Sequence, residues 1–310
     1  MASPFTHPMK RWLRRLTRLL IGCVLIIIGL LVWNLRAPAV GEPTDFAARV
    51  GQGDAAFTPM RLRVVTWNVW GLLWLTPRRA ERLQVVAREV EALKPDIVAF
   101  QEAYVGADRE GLIAALRGVG LEHARYFASG LVGSGLLLVS RFPMESEGFI
   151  RYASNGYPHA LTHGDWWAGK GLSLSVVRLP NGTRLYLADT HLHARYGLEM
   201  YHATQLAQAG QLLPWVQRVK ATGWPALWMG DWNSRITTDV MLPLQEAGSW
   251  QLLNTEKSRI DHLFGSGTGW EWRVIAQGKL NGHLDDAREV PWSDHEACWV
   301  DVELRVANDP

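Results

Sequence analysis

The sequence predicts an α/β protein in which two β-sheets pack as a sandwich flanked by helices, preceded by an N-terminal membrane segment. Three observations point there. Short apolar runs of strand length recur between turn signals, as at residues 61–67, 96–100 and 135–140. Some neighbouring runs are joined by hairpin signals, such as Pro180-Asn181-Gly182 between residues 172–179 and 184–188. Others are joined by stretches with helical periodicity. That mixture favours a sandwich over a purely parallel, doubly wound sheet.

The elements follow in order. Lys10, Arg11, Arg14, Arg15 and Arg18 precede an uncharged apolar run at residues 19–33, a pattern that reads as a membrane-targeting element with its N-terminus on the cytoplasmic side. As helix the run spans roughly 22 Å, short of a ~30 Å hydrocarbon core unless flanks such as Leu16 and Leu35 contribute. A signal anchor and a signal peptide cleaved near Ala37-Pro38-Ala39 both fit. Residues 36–60 are rich in Ala, Gly and Pro and read as a linker, and a folded domain is expected over 61–306. There, residues 61–67 form a strand. Thr76-Pro77 starts a helix whose apolar face is Leu83, Val86, Val90 and Leu93, and Lys94-Pro95 stops it. Strands at 96–100 and 135–140 and the hairpin follow. A second helix shows Leu206, Ala209, Leu213 and Val216 on one face, then a strand runs into Gly230-Asp-Trp-Asn-Ser234. The last strands are expected at 259–264 and 297–306.

Composition narrows the function classes. Lys and Arg number 32 against 30 Asp and Glu, so the general positive field of a dedicated nucleic-acid binder is missing. With an apolar content of 48% the chain can fill a large core. Its two cysteines, Cys23 and Cys298, lie in unrelated contexts and supply neither a disulfide framework nor a cysteine zinc site.

The chemistry-bearing residues collect at the ends of expected strands: Asn68, Glu102, His191, Asp231 with Asn233, Asp261, and Asp294 with His295. Strand ends hold side chains rigidly while the adjoining loops expose them. Singly, each has an ordinary explanation, a turn cap for Asp231 or a satisfied core histidine for His191. Their order is informative. Trp-Asn, Gln-Glu, Thr-His-Leu, Gly-Asp-x-Asn, Arg-Ile-Asp and Ser-Asp-His together resemble the endonuclease/exonuclease/phosphatase superfamily, with the deoxyribonuclease I-like fold, from about residue 62 to 305. Within it, residues 66–72, 133–143, 155–171 and 189–196 look most similar to neutral sphingomyelinases. Asp165 and Lys170 keep the D-x4-K spacing that places a lysine at the substrate phosphate in that family. The short stretch 234–258 departs from the larger insertions of the animal enzymes.

The resemblance implies a metal-dependent phosphodiesterase of phospholipase C type acting on sphingomyelin or a related phospholipid. Glu102, Asn68 and Asp294 are the expected ligands of Mg²⁺, with Mn²⁺ or Co²⁺ as substitutes. His295 is the expected general base and Asp261 its orienting partner. His191, Asn233 and Lys170 stabilise the phosphorane, and Asp231 orients the nucleophile or protonates the leaving alkoxide. His193, His159, His163 and Asp165 are candidates for supporting roles. His262 should face away from Asp261 and be structural, while His202 and His283 read as surface residues. The partners expected are a phospholipid or sphingolipid and a membrane surface, with nucleic acid disfavoured. A nuclease or phosphoinositide-type phosphatase on the same fold is the alternative, and a catalytically silent adaptor a remoter one. The charge bias carries the domain to the periplasm or cell exterior, or to secretion after cleavage.

Most of the 16 Trp are expected to pack. Leu72, Leu73, Trp74 and Leu75, and Trp166 and Trp167, fall in loops beside the active residues, where exposed Trp and Leu suit the headgroup region of a bilayer. Trp74→Ala is accordingly expected to lower turnover on vesicles more than on a soluble chromogenic phosphodiester; equal losses on both would exclude membrane contact.

Overall fold

Alternation along the first strand sets the layering. In β1 (Met60–Asn68), Val65 and Trp67 leave one face, and Leu62, Val64, Thr66 and Asn68 the other. Val65 and Trp67 pack beneath α2 (Arg79–Leu93) and α3 (Gly106–Arg117), against Leu83, Val86, Val90, Leu112 and Leu116. The other set faces a second sheet. The computed structural model describes residues 6–36, 38–48, 58–73, 75–160, 162–255, 259–285 and 287–307; Trp74 and residues 49–57 of the expected linker lie outside them.

β1 pairs in parallel with β2 (Ile97–Gln101), which pairs with β4 (Leu137–Ser140), itself edged by β3 (His123–Tyr126). On its other side β1 meets β14 (Ala297–Val306), and β11 (Trp270–Leu280) closes that edge. The second sheet runs β5 (Met144–Arg151), β6 (Gly171–Arg178), β7 (Arg184–His191), β8 (Ala226–Asp231), β10 (Asp261–Ser266) and β9 (Gln251–Leu252). A separate two-stranded ribbon joins β12 (His283–Leu284) to β13 (Ala287–Pro291). Thus two mixed sheets pack face to face with helices outside, as expected. The sheets meet over Leu172, Leu174, Leu185, Leu187, Leu227, Met229 and Leu263 from one side and Val64, Ile97, Ala99 and Leu138 from the other.

The Pro180-Asn181-Gly182 turn forms as expected: Gly182 takes φ 83° and Arg178 pairs with Arg184 across the hairpin. α2 begins at Arg79, after the expected Thr76-Pro77, and Lys94 ends it in a left-handed cap with φ 50°. The sandwich-covering helix α4 (Glu199–Ala221) differs more. Leu206, expected on its buried face, is 39% exposed, whereas Gln205 and Gln208 are fully buried. Their amides donate to the carbonyls of His193, Asn233 and Ser154. Ala209 and Val216 are buried as expected, so that face combines apolar packing with hydrogen bonds demanded by the site loops.

The N-terminal helix α1 (Thr6–Asn34) is longer than its apolar run: the 24 residues from Arg11 to Asn34 reach about 36 Å, enough for a ~30 Å hydrocarbon layer. The expected linker also needs correction, because residues 38–48 are packed as a strap along the second sheet. Ala39 N–H donates to Ala128 O, and Phe149 N–H to Gly41 O. Pro43 lies so close to Gly148 that a Cβ there would meet its nitrogen at 2.3 Å. Asp45 takes two hydrogen bonds from the Arg184 guanidinium, at 2.6 and 3.0 Å. Phe46 stacks on Tyr186 with ring centroids 6.3 Å apart.

Hydrogen bonding from Arg184 holds the Asp45 carboxyl below its ordinary value of 3.8. A depressed carboxylate pKa stabilises the fold above the unfolded value and ceases to as pH falls through the folded one. Asp45→Asn should therefore lower stability by about 1 kcal/mol at neutral pH, with the difference shrinking at pH below 3.8, as thermal melts across pH would record.

Candidate active site

Parallel pairing brings the chemistry to one end of the sandwich. Asn68 is in register with Gln101, and His191 with Asp231, so β1, β2, β7 and β8 all end at the same place. β10 is antiparallel to β8 and starts there, with Asp261 opposite Asp231. Gly230 makes the β7–β8 approach feasible: its φ is 138°, and a Cβ there would stand 2.0 Å from Thr190 O. A cavity of about 480 Å³ opens over these ends. Glu102, Lys170, His191, Asp231, Asn233, Asp294 and His295 line it; Asn68 and Asp261 stand behind them. All nine sequence candidates are therefore assembled around one space.

Asn68 links the two sheets there. Its Nδ2 donates to Glu102 Oε1 at 3.1 Å and to Asp231 Oδ2 at 3.0 Å, and its Oδ1 accepts from Trp70 N–H at 3.0 Å. Glu102 is held in a left-handed backbone conformation, φ 59°. That costs a non-glycine residue of order 1 kcal/mol and recurs at functional sites. Burial, with Asp294 and Asp231 nearby, raises its carboxyl to about 7 against the opposing pull of Lys170. Its Oε2 is buried without a hydrogen-bond partner among the described residues. Burial likewise raises Asp231 and Asp294.

His295 sits between carboxylates. Its Nδ1 is 2.9 Å from Asp261 Oδ2, and its Nε2 is 3.7 Å from Asp231 Oδ2. Burial works to lower its pKa, but Asp231, Asp261 and Asp294 together outweigh it and raise the imidazole to about 10. His191 behaves oppositely: burial and the Lys170 ammonium hold it well below the ordinary 6.5, so it is neutral. Its Nε2 lies 3.0 Å from Lys170 Nζ and 3.3 Å from Asp231 Oδ2. Lys170, itself buried, also donates to Leu192 O at 3.0 Å and pairs with Asp165. Asn233 is fixed by donating to the same Leu192 carbonyl and by its own N–H, which reaches Asp231 Oδ1 at 2.9 Å.

The supporting histidines separate. Asp165 accepts from Tyr196 Oη and lies 4.0 Å from His193 Nε2, so both flank the lysine pair. His163 stacks on Tyr196 at 4.3 Å and lines the cavity. His159 is exposed beside Tyr157, away from these contacts. His262 faces away from Asp261, as expected, with Nε2 at 3.0 Å from Ser234 O; burial lowers it to about 4. His283 is exposed, and His202 is partly covered and meets Asp239 at 2.9 Å.

Two contributors were not anticipated. Gln101 Nε2 donates to Asp189 Oδ1 at 2.7 Å, a second polar tie between the sheets. Its one signal was an acidic residue inside the run 185–190. Arg82 is fully buried on α2 and donates to Trp70 O, Pro77 O and Trp292 O. It fastens the loop after Asn68 to the one before Asp294. Nothing in its helical neighbourhood announces this.

The model of the endonuclease/exonuclease/phosphatase family matches residues 65–295. Sphingomyelin phosphodiesterase 2 of Mus musculus is 34% identical over 176 residues, covering 56% of this chain and 42% of that protein. Inositol phosphosphingolipids phospholipase C of Schizosaccharomyces pombe is 34% identical over 174 residues, covering 56% and 41%. The chain thus spans less than half the length of these two relatives. Among solved structures, sphingomyelinase C from Streptomyces griseocarneus superposes with a TM-score of 0.60 over 80% of this chain and all of that one, at 16% identity, a likeness of fold.

Arg82→Met leaves the carbonyls of Val69, Trp70, Pro77 and Trp292 without this donor. A loss of about 3 kcal/mol or more is expected, read as a lowered melting temperature together with faster amide exchange in residues 69–73.

Proposed function

The chain belongs to the endonuclease/exonuclease/phosphatase family, and on that premise we propose that it is a divalent-metal-dependent phosphodiesterase of phospholipase C type, cleaving sphingomyelin or a related phosphosphingolipid to ceramide and a phosphorylated headgroup. One observation carries the reading. The same cavity has a floor of phosphoryl-transfer groups, Glu102, Lys170, His191, Asn233 and His295, and a wall of Leu72, Leu73, Val132 and Trp167. A phosphate attached to lipid needs both. Near-neutral net charge, +2 over 310 residues, favours lipid over nucleic acid.

In this reading water attacks phosphorus in line with the departing ceramide oxygen. His295 receives the water proton at Nε2, while Asp261 holds the Nδ1 proton and fixes the ring. Lys170 and Asn233 donate to the equatorial phosphoryl oxygens as charge gathers on them. His191, neutral and beside Lys170, adds a donor once its ring turns a proton toward the phosphate. Asp231 orients the nucleophile or protonates the leaving alkoxide, which departs as the ceramide hydroxyl.

The residues fit a hard divalent cation, for which we propose Glu102 with Asn68 and Asp294. Glu102 offers a buried Oε2 with no hydrogen bond, beside carboxylates that raise one another's proton affinity, the electrostatic setting a cation relieves. Asp231, Asp261 and His295 also bring potential ligand atoms within 4.8 Å. Since His295 Nδ1 and Asp261 already form a hydrogen bond, we assign that trio to proton transfer. A cation held there would supply Lewis-acid polarisation of a phosphoryl oxygen and would offset part of the negative charge around His295. The membrane-length α1 suits an anchor that keeps the domain at its lipid substrate.

The full chain in vesicles, with a His295→Ala control, should release headgroup from sphingomyelin only with Mg²⁺ and His295 present. Plasmid nicking without lipid turnover would overturn the substrate class. Independently of turnover, Mg²⁺ should raise the melting temperature of the wild type and leave that of Glu102→Gln almost unchanged; equal shifts would remove Glu102 as a ligand.

A further inference from the structure

From Arg11 to Trp33, α1 is exposed or half-exposed along its whole length, as a helix waiting for lipid would be. Its final residue is the exception: Asn34 is fully buried. The Asn34 Nδ2 donates to Trp166 O at 2.8 Å, its Oδ1 accepts from Leu131 N–H at 2.8 Å, and its own carbonyl accepts from Arg151. A polar side chain buried at the end of an apolar helix, with donor and acceptor both matched, is a designed contact between distant parts of the chain.

Its two partners are significant. One residue beyond each, Val132 and Trp167 line the active cavity. The two loops are bonded to each other, Val132 N–H to Trp167 O and Gly169 N–H to Gly133 O, and the second continues directly into Lys170. Gly130 admits the contact: a Cβ there would meet Asn34 Oδ1 at 3.0 Å and Gly169 N at 2.9 Å. Beyond the latch the strap of residues 38–48 keeps the chain on the domain, so no free tether separates helix from cavity in the described residues. Around this junction apolar side chains are in solvent: Leu35 at 68%, Leu131 at 36% and, on the cavity wall, Leu75 at 71% exposure.

We infer that Asn34 is a latch that seats the rim of the active cavity on the bilayer entered by α1, with Leu131 lying in the interfacial layer. This rests on reading α1 as membrane-spanning. The bilayer is the one occupant of the exposed leucines that the junction singles out, because the helix that would enter it ends among them. Substrate would then pass sideways from the leaflet to Lys170 instead of crossing water, and the helix would act as a positioning element for lipid turnover, not only as a tether.

The test uses the full chain reconstituted in phosphatidylcholine vesicles, with Cys23→Ser and Leu131→Cys carrying an environment-sensitive fluorophore; Cys298 is buried. With Asn34 intact, lipids spin-labelled near the headgroup should quench the probe. Asn34→Ala should still float with the vesicles but lose the quenching. Its sphingomyelin turnover should fall roughly tenfold, the scale of losing one or two net hydrogen bonds, while a water-soluble phosphodiester, which reports an intact fold, is turned over within about twofold of wild type. Floating protein whose probe is unquenched, or quenched equally in Asn34→Ala, overturns the latch. Protein that does not float overturns the anchor reading and the latch with it. Quenching needs no catalysis, so the result stands apart from the identity of the substrate.

Discussion

Everything in the site depends on one amide. Asn68 ends a strand of one sheet, and its Nδ2 is shared between Glu102 of that sheet's loop and Asp231 at the end of a strand in the other. Two layers that elsewhere meet largely through apolar side chains are thereby fixed in relative height at the edge where the candidate site residues gather. A neutral donor suits the position. It satisfies one oxygen of each carboxylate without cancelling their charge, leaving Glu102 Oε2 without a partner among the described residues. Beneath it the Gln101–Asp189 pair repeats the device deeper in the sandwich.

The fixed geometry creates an electrostatic contest. Carboxylates taken from water and crowded together gain proton affinity, and the nearest imidazole gains it with them. Glu102, Asp231, Asp294 and His295 all shift upward, while His191, next to the Lys170 ammonium, shifts down. Two histidines in one cavity are thus shifted in opposite directions, His191 downward by burial and the Lys170 ammonium and His295 upward by its carboxylates. That division is what a reaction needs if one imidazole exchanges a proton and another stays neutral beside the phosphate.

The candidate site residues were legible in the sequence because each borders an apolar run: Asn68, His191 and Asp231 close strands, whereas Lys170 and Asp261 stand where strands begin, and such ends face a shared rim. The layered architecture was legible for the same reason. What escaped was held by partners far along the chain. Arg82 finds Trp292, 210 residues away, and Asn34 finds Trp166, 132 residues away. Gln205 and Gln208 joined Ala209 and Val216 on the buried face of α4 because the site loops required donors. The stretch at 38–48 carries the composition of a linker, yet its Asp45 and Phe46 meet matching partners in Arg184 and Tyr186. Local pattern cannot report demand that arises only after the layers have met.

Gly230 contributes no reactive atom, yet the 3.3 Å separation of His191 and Asp231 exists because β7 and β8 approach over a residue without a Cβ. Part of the candidate site is therefore written as empty space. A survey of related genes that scores only acids, bases and metal ligands would pass as competent a copy bearing alanine at this position, although its inventory of functional groups would be complete and its two central ones held apart.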